Sequence, residues 1–326
     1  MQMLDFFKKK TKSTGRVGLM IQADQLVLAH VEQRGGAPYL LNCERIELAS
    51  IKDAPDALEK VVKDLDLEGT QCSYVLNPKD YHLHLVEAPN VEPDELRSAV
   101  RWKIKDLLDM KIDDAAIDVF QVPDDAYRGR DMVYVVATLR SKIKSIADMV
   151  TASGLELAVV DIPELVMKNI STSFIDDEHG VAFMDLRRTG STMNISRDDA
   201  LYLTRRINTQ LDPDVMKAHD WDRLKDRLIL EIQRSLDYYE SQMGKTPINK
   251  IIIAPRQHDS VEMAQSLNEM LNGAVSFIDL AEHIEGDVEL TSELQQIFLP
   301  AIGATLRGGK RQQKPEEPTP DSQEAA

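Results

Sequence analysis

The sequence is poor in cysteine, aromatic residues and long apolar runs, and each scarcity closes off a class of protein. Only Cys43 and Cys72 are present among 326 residues. That is too few for a disulfide framework, and they stand too far apart for a CxxC site or a zinc knuckle. Both are expected to be buried as small apolar residues. Aromatics make up 5% of the chain, and 39 basic against 55 acidic residues leave a net charge of −16. With no basic stripe interleaved with aromatics, that balance repels a nucleic-acid backbone, so no nucleic-acid partner is expected. No run approaches the roughly 20 apolar residues of a spanning helix, and residues 1–14 lack the apolar core of a signal peptide. A cytoplasmic chain is the expectation. No nucleophile–base constellation or phosphate loop is visible either: Gly308-Gly309-Lys310 lacks the upstream glycine spacing of one. What is present is 43% hydrophobic residues, enough for ordinary cores, in a length that suits two domains.

The termini differ from the body. Met3, Leu4, Phe6 and Phe7 stand directly before Lys8, Lys9 and Lys10. This short apolar-plus-basic arrangement suits contact with an anionic membrane surface, with a frayed basic terminus as the alternative. Residues 308–326 are rich in proline and charge, lack apolar periodicity and read as a disordered tail.

Between them the chain alternates strand and helix patterns. Residues 17–32 and 39–49 are strand-like around the Gly35-Gly36-Ala37-Pro38 turn signal, followed by a helix over 56–64 and a strand over 71–76. In residues 81–86 alternation puts His82 and His84 on one strand face; a solvated face accounts for them, since no third metal ligand is apparent. Residues 92–108 read as a helix with Pro93 and acids in its first turn and Leu96, Val100, Ile104 and Leu107 as its stripe; Trp102 is expected in the core. With strands at 116–122 and 131–139, residues 88–139 suggest a small inserted subdomain. Strand, helix, strand and helix over 131–170 suggest a right-handed crossover.

The second half restarts the pattern. Strands are expected at 180–186, 191–196 and 200–206, then a long helix at 221–244 with Leu224, Leu228, Ile232, Leu236 and Tyr239 at helical spacing. A strand at 250–254, a helix at 260–272, a strand at 275–279 and a helix at 294–306 complete it. Two α/β halves that each open with hairpin strands imply a duplicated architecture: residues 15–172 and 173–307.

Glu231-Ile-Gln-Arg-Ser-Leu-Asp-Tyr-Tyr-Glu-Ser-Gln242 followed by Pro247-Ile-Asn-Lys-Ile-Ile-Ile-Ala254 resembles the signature helix and strand of the PilM-like type IV pilus assembly family. Leu96-Arg-Ser-Ala-Val-Arg-Trp-Lys103, Val135-Val-Ala-Thr138 with residues 153–163, and residues 180–206 resemble the same family in the same order, so the likeness covers about residues 15–307. The acidic balance, the trailing tail and altered motifs point within it to the MSHA pilus branch. The resemblance implies an actin/FtsA-like fold with ATP and magnesium in a cleft between two domains. It also implies a partner, a PilN-like bitopic inner-membrane protein whose cytoplasmic N-terminus lies extended in a groove of the first domain. Contact with a pilus motor ATPase and self-association are further implications.

Each nucleotide element departs from the family pattern. The first phosphate hairpin should read Asp-x-Gly: the acid orients magnesium and water, and glycine lets backbone N–H groups approach phosphate. In Val17-Gly-Leu-Met-Ile-Gln-Ala-Asp24, Met20 stands in place of the acid and Gln22 in place of the glycine. The second hairpin, Asp185-Leu-Arg-Arg-Thr-Gly-Ser-Thr-Met-Asn194, keeps the acid but has Arg187 at the glycine position; Asp185, Thr189, Ser191 and Thr192 are its vestigial phosphate-binding candidates. Turn capping is their alternative role. Where a Gly-Gly pair should leave room for adenosine stands Ala254-Pro255-Arg256. The expectation is a catalytically silent scaffold without a required cofactor; an active ATPase and an FtsA-like filament former are the alternatives.

Overall fold

The computed structural model describes residues 14–188, 190–207, 209, 211, 215–217, 219–258, 260–271 and 273–308. The chain opens with β1 (Arg16–Ile21), β2 (Gln25–Arg34) and β3 (Ala37–Glu47), then passes through α1 (Ala54–Asp64) into β4 (Gln71–Val75). The apolar run at 17–32, expected as one strand, is therefore two. Gln22 N–H donates to the Gln25 carbonyl at 2.8 Å across a tight turn, whose Ala-Asp core is a weaker turn signal than the Gly-Gly at 35–36.

Next come β5 (His82–Glu87), α2 (Leu96–Ile104), β6 (Ala115–Gln121) and β7 (Met132–Leu139), then α3 (Arg140–Ala152), β8 (Glu156–Asp161) and α4 (Pro163–Phe174). Strands β5, β7 and β6 make a separate antiparallel sheet in that order, while β8 joins the sheet of β1. The crossover expected over 131–170 is thus absent, because β7 and β8 lie in different sheets. The subdomain also takes in β5, upstream of residue 88. Helix α2 is shorter than expected: Pro93 and its acidic neighbours precede it, and a 3-10 turn at Lys105–Leu107 follows. Leu96, Val100 and Ile104 are buried, but Leu107 is 52% exposed and Trp102 is 72% exposed. Trp102 lies two residues from Val100, about 200° around the helix from the buried stripe, and the change of winding at Lys105 shifts Leu107 out of phase.

The second half contains β9 (Val181–Asp185), β10 (Ser191–Arg197), β11 (Ala200–Ile207), α5 (Trp221–Met243), β12 (Lys250–Ile253), α6 (Ser260–Asn268), β13 (Ala274–Phe277), β14 (Glu285–Gly286) and α7 (Ser292–Thr305). Its sheet runs β11-β10-β9-β12-β13, and the first sheet runs β14-β3-β2-β1-β4-β8. Setting β14 aside, both follow one plan: three antiparallel strands, then a fourth and a fifth parallel to the first. The duplication is thus a property of the topology.

The halves share a core. Val27 and Ala29 of the first sheet, Met167 and Ile170 of α4, Phe183 and Ile252 of the second sheet, and Phe298 and Ile302 of α7 belong to one apolar cluster. Helix α7 lies directly on β1, β2 and β4. Its approach to β1 requires Gly18, since a Cβ there would fall 1.8 Å from the Ala301 carbonyl oxygen. Cys72 is buried and Cys43 half-buried; burial pushes both thiols up to about 12, so neither is a ready nucleophile. No helix among the described residues is long and apolar enough to cross a membrane.

Candidate functional site

The first hairpin is closed on itself. Met20 is buried with Val75, Val166 and Ala304, so a thioether fills the position where the family pattern asks for an acid. Beside it, the Gln25 side-chain amide donates to Gln22 Oε1 at 2.7 Å, and Asn77 Nδ2 donates to the Ile21 carbonyl at 2.7 Å. The Gln22 and Gln25 side chains and the Ile21 carbonyl are thus engaged within the protein.

The second hairpin is similarly engaged. Arg187 Nε donates to Asp185 Oδ2 at 2.6 Å, and the other end of the guanidinium reaches the Gln296 carbonyl on α7 at 3.1 Å. The retained acid is therefore neutralised by the residue standing in place of glycine. Ser191 is buried with its hydroxyl donating to the Thr209 carbonyl at 2.8 Å, and Thr192, half-buried, sits in register opposite Asp185. Ser191 thus serves a strand end and is not a turn cap. Thr189 lies outside the described residues, as do Phe6, Phe7, Lys8, Lys9 and Lys10 of the membrane-contact expectation. Arg256 is 2% exposed and donates to the Leu186 carbonyl at 3.0 Å, so it braces the second hairpin from below. The replacement of Gly-Gly by Ala254-Pro255-Arg256 marked the element as changed, but not the burial of Arg256 or its bond to Leu186.

His82 and His84 do share a face, with parallel rings 6.0 Å apart. His82 meets Asp109 at 2.8 Å, and among the described residues no three His, Cys, Asp or Glu side chains are grouped to hold a metal ion.

A groove of about 260 Å³ runs between the subdomain and the first half. Two of its walls come from β6 and β8, each the outermost strand of its sheet, and Ile143 of α3 and Leu165 of α4 add apolar surface. Beneath them Asp161 is 2% exposed. It accepts from the Ile162 N–H at 2.9 Å and from Arg307 at 2.9 Å. Burial raises its pKa above the usual carboxylate value, and the Arg307 charge opposes that rise. Two outermost strands facing one groove are suited to pairing with an extended chain, although the Val119 N–H of β6 already donates to Asp118 Oδ1 at 3.0 Å. The sequence reading expected such a groove in the first domain without its residues, since edge status follows from sheet order.

Two α/β halves of the same strand order, clasped by shared helices, with an inserted subdomain in the first, define an actin-like ATPase fold. Among solved structures, the fold is shared with the PilM-PilN type IV pilus biogenesis complex: TM-score 0.67 at 17% identity, covering 92% of this chain and all of that one. Two more distant likenesses are a Bacteroides thetaiotaomicron protein of actin-like ATPase fold and unknown function (TM-score 0.49, 9% identity, 85% of this chain and 94% of that one) and the cytoplasmic domain of EpsL, an inner-membrane component of the Vibrio cholerae type II secretion system (TM-score 0.48, 10% identity, 88% and 94%). No family model matches the sequence, and no curated protein sequence matches it.

Proposed function

We propose that the chain is a cytoplasmic scaffold of a type IV pilus assembly machine, of the MSHA type (an MshI-like member of the PilM-like family). In this reading it lies against the inner membrane and captures the cytoplasmic N-terminal segment of a PilN-like bitopic membrane protein. The observation that carries the reading is the groove between β6 and β8, where strand edges from two sheets offer main-chain bonds to an extended segment. The fold shared with a protein solved in complex with PilN supports it. The Met20 cluster, the Arg187–Asp185 pair and the buried Arg256 support a cleft that no longer turns over ATP, leaving a fold that works as a platform.

The test is titration of the purified chain with a fluorescent peptide of the PilN-like partner's cytoplasmic segment, with and without Mg-ATP, alongside calorimetry with Mg-ATP alone. Expected are micromolar peptide binding without nucleotide, its loss in Ile143→Glu at an unchanged fold, and no heat from Mg-ATP. Magnesium-dependent turnover abolished by Asp185→Ala would instead establish an active ATPase, and concentration-dependent sedimentation of polymers a filament former.

A further inference from the structure

By chain connection the subdomain belongs to the first half: residues 76–81 lead into it from β4, and β7 runs straight into α3. By packing it belongs to the second. Val122, Ala126, Tyr127 and Tyr134 are buried in the core cluster of the second half, with Tyr202, Leu228 and Tyr239. Among the described residues, no buried member of the first half's own cluster comes from residues 82–139; Leu83, Phe120 and Val136 reach only its margin, partly buried.

The connection between β6 and β7, residues 122–131, makes most of this attachment. A connecting loop ordinarily runs over the surface, but this one inserts Ala126 at 0% and Tyr127 at 4% exposure. Two turns shape it: the Ala126 N–H donates to the Pro123 carbonyl at 2.9 Å, and the Arg130 N–H to the Tyr127 carbonyl at 3.2 Å. Polar contacts surround the apolar insert. Asp125 accepts from the Tyr202 hydroxyl of β11 at 2.9 Å and from Lys245, just past α5. The Tyr127 and Tyr238 hydroxyls lie 3.3 Å apart. Arg128 lies against Gly244, where a Cβ would come within 2.6 Å of the guanidinium, so a cation covers the C-terminal end of α5, the end that favours positive charge.

We propose that the 122–131 loop is a strap by which the second half sets the width of the β6–β8 groove. One wall of that groove, residues 116–120 with Val136, is subdomain; the other, residues 160–162 with Leu165, is first half. A wall tied to the second half moves with it, while the two chain crossings serve as its hinge on the first half. Occupation of the groove and any shift of the second half are therefore coupled, and the coupling runs in both directions. Its consequence for a bound segment rests on the groove being the partner's site, as proposed above; the strap itself does not.

The experiment is pulsed electron spin resonance on the full chain, with Cys43→Ser and Cys72→Ala removing the native thiols. Spin labels are placed in pairs at exposed positions of the subdomain (Asp106→Cys), the first half (Glu59→Cys) and the second half (Asp226→Cys). The distance between labels 106 and 226 is expected to be narrowly distributed, and that between 106 and 59 more broadly. A wedge in the groove, Ala116→Trp, should lengthen the 106-to-59 distance and leave 106-to-226 unchanged. In Asp125→Ala/Tyr127→Ala, which lies outside the β5–β7–β6 ladders, the 106-to-226 distribution should broaden; Asp125→Ala/Arg128→Ala is the milder variant should that chain not fold. The partner-segment peptide should bind the strap variants about tenfold more weakly, because the competent groove is then a fraction of the population. A 106-to-226 distribution as broad as 106-to-59 in the parent, or unchanged in both strap variants, overturns the proposal. So does peptide affinity that stays unchanged where the distances have broadened. The expected distances with no peptide binding to the parent chain would sink the groove's assignment to a partner and uphold the strap.

Discussion

At the scale of single residues, the altered hairpins are packed into the fold, so restoring a motif residue should cost stability without restoring chemistry. Met20→Asp puts a carboxylate among Val75, Val166 and Ala304. A loss of about 3 kcal/mol is expected in urea unfolding, with no magnesium-dependent ATP turnover, while Met20→Leu should cost less than about 1.5 kcal/mol. Turnover in the aspartate variant would show that the cleft had lost only its acid. A second prediction concerns Asp161. Arg307→Gln leaves a buried carboxylate unpaired; a loss of about 2 kcal/mol at pH 7.5 is expected, below the roughly 3–5 of a fully buried pair because the Arg307 side chain is 46% exposed. Since the folded pKa of Asp161 is raised, the native state takes up its proton before the unfolded chain does, and the penalty fades as pH falls through that folded value. The gap in urea midpoint between variant and parent should therefore narrow at pH 5; an equal gap at both pH values would mean Asp161 is not its source. Met20, Gln22 and Arg187 were legible as departures because a family pattern fixed what should stand there. The Arg256–Leu186 contact and the Asp161–Arg307 pair were not, since each joins segments far apart in the chain.

At the scale of elements, periodicity revealed most of what one face decides. The Leu224, Leu228, Ile232, Leu236 and Tyr239 stripe of α5 and the Ile251-Ile252-Ile253 strand needed only a 3.6-residue or continuous apolar pattern; Leu228, Ile232, Tyr239 and the three isoleucines are buried, and Leu224 and Leu236 are half-buried. What periodicity does not carry is which sheet a strand joins. That is why β7 and β8 were read as neighbours; Trp102 was assigned to the core on its residue type, against a helical period that sets it off the Leu96, Val100 and Ile104 stripe. The subdomain is joined to the second half through side chains that sequence distance conceals. Tyr134 stacks on Phe120 with ring centres 5.0 Å apart and bonds both main-chain groups of Thr204, 70 residues away. Tyr134→Phe keeps the stack and removes the bonds. It should cost about 1 kcal/mol in thermal unfolding and raise amide exchange of β5 and β7 above that of β1 and β2. Equal exchange across the two sheets would show that the hydroxyl does not anchor the subdomain.

At the scale of the whole molecule, duplication has not produced two independent domains. The last helix of the second half lies on the first sheet, β14 pairs in parallel with β3, and one apolar cluster takes residues from both sheets and from α4 and α7. A chain built this way loses both cores when either opens, so cooperative unfolding is expected despite a length at which domains commonly separate. The two tryptophans make this measurable. Trp221 is 9% exposed in the core of the second half, whereas Trp102 is 72% exposed on the subdomain, so fluorescence of a Trp102→Phe chain reports the second half alone. Its urea transition should coincide with that of far-UV circular dichroism, which reports all elements together. A fluorescence midpoint clearly above the dichroism midpoint would mean that the first half opens while the second stays folded. The shared core would then be too weak to fix the β6–β8 groove relative to the hairpins, and a peptide in that groove would have no rigid route by which to signal to the rest of the molecule.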